Sequence, residues 1–149
     1  MSVKPIPDGF HSLTPYLVVD DVRNLMSFLK EAFHAQDIHC MNRSDGSVMH
    51  AEMRVGDSPI MMGGTMDGSP ARTGMLYFYT EDVDAVYKQA LDAGAKSIQE
   101  PADQFYGDRN AGVEDPSGNL WWIATHKEDV SEEELSKRSE VYAKEQSKS

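Results

Sequence analysis

The chain has a single cysteine, Cys40, so no intrachain disulfide can form. No apolar run approaches the roughly 18 residues that a membrane-spanning helix requires. The opening stretch, Met1-Ser-Val-Lys-Pro-Ile-Pro7, has no apolar segment of the kind a secretory leader carries. Basic residues are scarce: 14 Lys and Arg stand against 25 Asp and Glu, for a net charge of −11, and they form no dense stripe. An acidic surface repels phosphate backbones, so nucleic acid is not an expected partner. Gly63-Gly64 lacks the lysine and following helix that a phosphate loop needs. These absences point to a cytoplasmic protein with neither membrane nor nucleic-acid partners. The acid surplus serves solubility, or attracts a cationic ligand.

What is present is one domain's worth of chain, 149 residues with a hydrophobic fraction of 40%, enough for a real core. After an irregular lead-in over residues 1–10, Thr14-Pro-Tyr-Leu-Val-Val19 reads as a strand. Asp20-Asp21 then offers a carboxylate cap to a helix from Val22 to His34, whose Leu25, Phe28, Leu29 and Phe33 fall at helical spacing. Strands are predicted near 36–42, 48–55 and 59–62, with turns at Ser44-Asp-Gly46 and Gly56-Asp-Ser58. Gly63 to Ala71, rich in Gly, Ser and Pro, reads as a linker. A strand follows at 75–80, a helix at Val83–Ala93 closed by Gly94, and strands near 96–99, 105–114 and 119–125.

The second half repeats the first. Tyr16-Leu-Val-Val-Asp-Asp-Val22 matches Tyr77-Phe-Tyr-Thr-Glu-Asp-Val83 at an offset of 61 residues. That period is too long for a solenoid and suits a duplicated βαβββ unit. The expected fold class is therefore α+β, a single domain of two modules over about 12–63 and 73–126. A polar helical tail over about 131–146 would start at the capping box Ser131-Glu-Glu-Glu134, with the Glu134 carboxylate reaching back to its cap. The tail carries no evident chemistry.

Several residues are candidates for a site. His50 and Glu52, two apart on a predicted strand, share a face and suit acid–base work or part of a metal site; the plainer reading is an exposed pair. Tyr106 and Arg109 bracket a tight segment, and Arg109 can clamp a carboxylate or phosphate, or else pair with Asp108 or Asp115 to fix a loop. Trp121 and Trp122 point to opposite faces of one strand, so one of them floors a pocket or packs the core. Met61, Met62 and Met75 add adaptable apolar surface, more often core filler. His126 ends the last strand. Cys40 has no base beside it and is not an expected nucleophile.

The strand Tyr16–Val19 with Asp21, the turn Glu114-Asp-Pro-Ser-Gly-Asn119 and the strand Leu120–His126 resemble the vicinal-oxygen-chelate (glyoxalase/bleomycin-resistance/dioxygenase) superfamily. The run Tyr106-Gly-Asp-Arg109, Asp115-Pro-Ser-Gly118 and Trp122 to Ser131 resembles its PhnB-like subgroup. The resemblance covers about residues 12–131. It implies two βαβββ modules forming curved half-barrel sheets, with a ligand cavity and a homodimer. It does not imply one reaction. The family's metal ligands would fall at Thr14, at Met75, at Trp122 and within Ile60-Met61-Met62. A lone threonine hydroxyl is a poor ligand, indole and alkyl groups are none, and thioethers are too soft for a hard divalent ion. No metal and no other cofactor is expected.

The leading expectation is a protein that binds a small molecule, a drug or metabolite of cationic or aromatic character, in an aromatic-lined cavity. His50, Met62, Tyr106, Arg109 and Trp122 are its candidate contacts. The alternative is a lyase- or isomerase-type enzyme, metal-dependent or metal-free, in which His50, Tyr106 and Arg109 converge. A third possibility is an interaction module whose cavity is vestigial and whose tail docks on a partner.

Overall fold

Each half of the chain is organised by an aspartate at the start of its helix. In the computed structural model, which describes residues 2–148, Asp21 accepts from the Asn24 amide at 3.0 Å and Asp82 from the Ala85 amide at 3.1 Å. These caps satisfy backbone donors that the first turn leaves free. The first module runs β1 (Tyr16–Val19), α1 (Val22–Phe33), β2 (Gln36–Asn42), β3 (Val48–Val55) and β4 (Ser58–Gly64). The second runs β5 (Met75–Tyr79), α2 (Val83–Asp92), β6 (Lys96–Asp103), β7 (Asp108–Glu114) and β8 (Leu120–His126), and α3 (Glu132–Ser147) follows.

The two four-stranded sheets have orders β1-β4-β3-β2 and β5-β8-β7-β6, with the first pair of each parallel and the rest antiparallel. The fold is α+β, two βαβββ modules with no closed barrel. The duplication extends to register. Tyr16 stands opposite Met61 in the first sheet, and Tyr77 opposite Trp122 in the second. Both members of the second pair lie 61 residues beyond the first. On the next strand, His50 faces Gly63 where Asn110 faces Ala124, so His50 and Asn110 are counterparts.

One face of each sheet packs on the helices. Helix α1 buries Val22, Leu25, Met26, Phe28, Leu29, Ala32 and Phe33, against Leu17, Val19, Met53 and Met62 of the first sheet. Phe33 also meets Phe78 and Trp121, with ring centroids 5.2 and 4.9 Å apart, and α1 packs on α2. These contacts merge the modules into one core. Because strand side chains alternate, the opposite faces are left open: Tyr16, His50, Glu52 and Met61 on one sheet, Met75, Tyr77, Tyr79, Asn110 and Trp122 on the other.

Three local expectations change. Residues 63–71 are not wholly linker: Gly63 and Gly64 extend β4, Met66 bridges Ser69, and Arg72 pairs with Val18 through bonds of 3.0 and 2.8 Å. The unpaired edge of β1 offers backbone groups that this segment satisfies. The strand expected over 105–114 begins only at Asp108, because Tyr106-Gly107 is the turn, with Gly107 at φ 101°. In the tail, Ser131 caps α3 by accepting from the Glu134 amide at 3.2 Å, but the Glu134 carboxylate pairs with Arg138 instead of reaching back. No helix among the described residues is long and apolar enough to cross a membrane.

Candidate functional site

The Asp-Pro-Ser-Gly-Asn turn sets the orientation of the site. Asp115 is 4% exposed, and its Oδ1 accepts from the amides of Ser117 and Asn119 at 2.8 and 3.0 Å. Its Oδ2 accepts from the Asn119 side chain and from the Trp121 indole N–H, both at 2.9 Å. The last bond holds Trp121 on the core side. Alternation then turns its neighbour Trp122 to the open face of the second sheet.

There the Trp122 indole lies over Gly112, its partner on β7. A Cβ at position 112 would come within 2.9 Å of the ring, so only glycine lets the indole rest on the backbone. Met75 and Tyr77 extend this floor, Gln99, Gln104, Tyr106 and Asn110 line it with hydroxyls and amides, and Phe105 and Tyr142 wall it. The cavity is about 410 Å³ and has no charged side chain in its lining. Asn110 organises the polar rim: its amide nitrogen donates to the hydroxyls of Tyr106 at 2.7 Å and Tyr77 at 3.2 Å, and its carbonyl oxygen accepts from Gln99 and Gln104. Tyr142 belongs to α3 and reaches the cavity by packing on Phe105, centroid to centroid 5.0 Å.

Beside this floor, on the same face of the sheet, sits a buried carboxylate. Asp108, 5% exposed, accepts on Oδ2 from Tyr77 at 2.8 Å and Tyr79 at 3.0 Å, and on Oδ1 from His126 at 2.8 Å. Burial pushes its pKa up, but the three donors outweigh burial and hold it below the ordinary carboxylate value. The same bonds act on the donors. Burial, then Asp108, pushes the Tyr77 hydroxyl well above the usual tyrosine range, against a bond from Asn110 that lowers it. Asp108 first, then burial, raises Tyr79. Asp108 and then Asp129 raise His126.

The first sheet's open face carries a separate cluster. The Tyr16 hydroxyl lies 3.0 Å from His50 Nδ1, and His50 Nε2 lies 2.8 Å from Glu52 Oε2.

Of the residues singled out from sequence, Tyr106 and Trp122 share the aromatic cavity. His50 is on the other sheet, and the cavity includes no residue of that sheet's open face. Arg109 alternates to the helix side of β7, where it grips Asp84 through two bonds of 2.9 Å and also reaches Asp103 at 3.3 Å. His50, Tyr106 and Arg109 therefore do not converge in one chain. Met62 is fully buried in the core, and Met61 is the β4 methionine on the open face, in line with the register that pairs it with Tyr16. His126 serves Asp108 and Asp129. Cys40 is exposed, near Asn42.

The positions at which the resemblance would put metal ligands are Thr14, Met75, Trp122 and, by the register with Tyr16, Met61. Their donor set is one hydroxyl, two thioethers and an indole, which does not fit a hard divalent ion. Among the described residues no three His, Cys, Asp or Glu side chains are grouped to hold one elsewhere. The sequence did not single out Tyr77, Tyr79, Asn110 or Gly112, and it offered Asp108 only as a loop partner of Arg109, which pairs with Asp84 and Asp103 instead. Alternation from Trp122 across β5 and β7 was the available signal.

Residues 9–123 match the model of the Glyoxalase/Bleomycin resistance protein/Dioxygenase superfamily. An uncharacterized protein of Mycobacterium bovis is 32% identical over 138 residues, covering 83% of this chain and 89% of the relative. TioX from Micromonospora sp. ML1 superposes with a TM-score of 0.68 at 22% identity, over 78% of this chain and 98% of that one. A PhnB protein from Bacillus cereus, described as a putative 3-demethylubiquinone-9 3-methyltransferase, superposes at 0.64 and 16% identity, over 77% and 99%. At such identities the two structures speak for the fold alone.

Proposed function

The chain belongs to the Glyoxalase/Bleomycin resistance protein/Dioxygenase superfamily, and from that premise we propose that it binds a flat, aromatic and preferably cationic small molecule on the open face of its second sheet, without a metal at the family's usual positions. The observation that carries this reading is the Trp122 indole resting on Gly112, beside a rim of neutral hydroxyls and amides. A planar ligand stacks on such a floor at about 0.5–1.5 kcal/mol per aromatic contact beyond area burial. A positive charge on it gains a further cation–π term of about 0.5–2 kcal/mol. No Lys or Arg lines the cavity to favour an anion, and Arg109 is already held by Asp84 and Asp103 behind the sheet. Asp108 adds negative charge behind Tyr77 and Tyr79.

The reading includes a homodimer. Met75 and Tyr77 are 68% and 45% exposed at the cavity on the open face of the second sheet. A second copy would cover this apolar surface and close the cavity over its ligand.

The test is a titration with proflavine, a planar cation, and with naphthalene-1-sulfonate, a planar anion. Binding is followed by tryptophan emission and by proflavine polarisation. Proflavine should bind, the sulfonate should bind at least about tenfold more weakly, and Trp122→Ala should abolish the proflavine signal. Equal binding of both, or binding that survives Trp122→Ala, would defeat the proposal. Native mass spectrometry of protein purified without chelator or nickel resin reads mass and metal together. A metal-free dimer is expected.

A further inference from the structure

The two open faces share one duplicated frame but are furnished differently. Where the second sheet has Asn110 and Gly112, the first has His50 and Glu52. Tyr16 and Tyr77 are the matching hydroxyls, each beside its third-strand partner: His50 at 3.0 Å in one sheet, Asn110 at 3.2 Å in the other. An amide can only hydrogen-bond, whereas an imidazole backed by a carboxylate can accept a proton.

The protons can be assigned from chemistry. An ionised carboxylate only accepts, so Glu52 requires the hydrogen of neutral His50 to sit on Nε2. Nδ1 is then a bare lone pair, and the group within reach of it is the Tyr16 hydroxyl, which therefore donates. The phenolic oxygen keeps its own lone pairs, on a residue that is 48% exposed. The imidazole and carboxylate are more sheltered, with side chains 22% and 18% exposed. Gly63, opposite His50, leaves the space that this arrangement needs: a Cβ there would lie 2.7 Å from the Tyr16 oxygen.

The geometry points to Tyr16, His50 and Glu52 as a proton-transfer site on the first sheet, separate from the Trp122 cavity, acting on a small compound that bears an acidic O–H, S–H or activated C–H. The substrate proton passes to the Tyr16 oxygen as the phenolic proton passes to His50 Nδ1. The substrate keeps the electron pair as an anion, His50 becomes imidazolium, and Glu52 balances its charge. The reverse transfer returns the proton to the product. Tyr16 is the catalytic residue that touches substrate, His50 is the proton acceptor behind it, and Glu52 is a positioning residue that fixes the tautomer. This site does not depend on the aromatic-ligand reading.

The full-length protein can be tested with phenylmethanesulfonyl fluoride, which reports a phenol deprotonated as it attacks. The Tyr16 oxygen forms a bond to sulfur, the S–F bond breaks, fluoride leaves, and the phenolic proton goes to His50. Peptide mass mapping then compares Tyr16 with Tyr79, which is the more exposed of the two at 57% but is bonded to Asp108 and harder to ionise. Tyr16 should react on the order of 10²-fold faster, the scale of a positioned base. His50→Gln, and separately Gly63→Ala, which keeps all three groups but separates them, should remove that advantage while far-UV circular dichroism stays unchanged. Nitrogen-15 NMR should find His50 protonated on Nε2, and Glu52→Gln should shift that proton toward Nδ1. Equal labelling of Tyr16 and Tyr79, full labelling in His50→Gln, or a wild-type His50 protonated on Nδ1 would each overturn the proposal.

Discussion

Trp122 rests on Gly112, with indole carbons 2.9 to 3.2 Å from where a Cβ at position 112 would stand. Gly112→Ala therefore cannot leave the ring in place. The indole is half-buried and faces a cavity, so it can lift away, and the cost should be about 1 kcal/mol, the low end for an overpacked position. Proflavine affinity should fall at least about tenfold, since the stacking floor is lost. Denaturant titration and proflavine polarisation on one sample separate the two effects. A variant that keeps full affinity would mean the ligand stacks elsewhere.

The Asp108–His126 pair gives the fold a pH window. Asp108 is held below its ordinary value, so its contribution is present at higher pH and is lost as pH falls through its folded value, below 3.8. His126 is raised, so its contribution is complete below the unfolded histidine value and is lost as pH rises through its folded value, above 6.5. Stability from the pair should peak between those limits, in mildly acidic solution. Unfolding midpoints measured from pH 3 to 9, in roughly unit steps, should show an alkaline decline that His126→Gln removes. Asp108→Ala should cost about 1–3 kcal/mol, since it leaves the Tyr77 and Tyr79 hydroxyls and the half-exposed His126 without their shared acceptor.

Much of the fold can be read from sequence because the repeat is written in residues that alternate and cap. Asp21 and Asp82 each start a helix, and the 61-residue offset carries through to the pairing of Tyr16 with Met61 and Tyr77 with Trp122. The same offset from Trp122 selects Met61 over Met62 as the outward methionine, an ambiguity that inspection of β4 by itself leaves open. Sidedness on β7 was harder to read. Taking 105–114 as one strand hid the turn at Gly107, and with it the fact that Asp108 and Asn110 share the face of Trp122 while Arg109 faces α2. A buried aspartate held by two tyrosines from β5 and a histidine from β8 has no local signature, because its partners are 29, 31 and 18 residues away.

The Asp-Pro-Ser-Gly turn, one of the motifs that carry the family resemblance, is structural. Asp115 accepts four hydrogen bonds, one of them from the indole of Trp121, which is 2% exposed. Asp115→Ala would strand those donors in the interior, at about 3–5 kcal/mol. Asp115→Asn should be milder, since Oδ1 can still serve two backbone amides, but its side-chain amide would face the donors of Asn119 and Trp121. Chemical denaturation orders the variants, with alanine below asparagine below wild type. The same order in proflavine affinity would follow from loss of the β8 register that aims Trp122.

The tail helix should govern access to the cavity and contribute little to stability. Helix α3 has no buried residue, yet Tyr142 packs on Phe105 and lines the cavity, and Arg138 donates to the Phe105 carbonyl at 3.1 Å while pairing with Glu128 and Glu134. These ion pairs are exposed and are screened by salt. Amide exchange across 132–147 should be fast compared with β7 and β8, and faster still in high salt. Tyr142→Ala should shift the unfolding midpoint by no more than a surface substitution does, within about 0.5 kcal/mol. Its effect on proflavine should be larger, a loss of about threefold to tenfold, matching one aromatic contact of about 0.5–1.5 kcal/mol. If affinity stays constant while 132–147 exchanges freely, the cavity is closed by something other than α3, and a second copy of the chain becomes the wall to test.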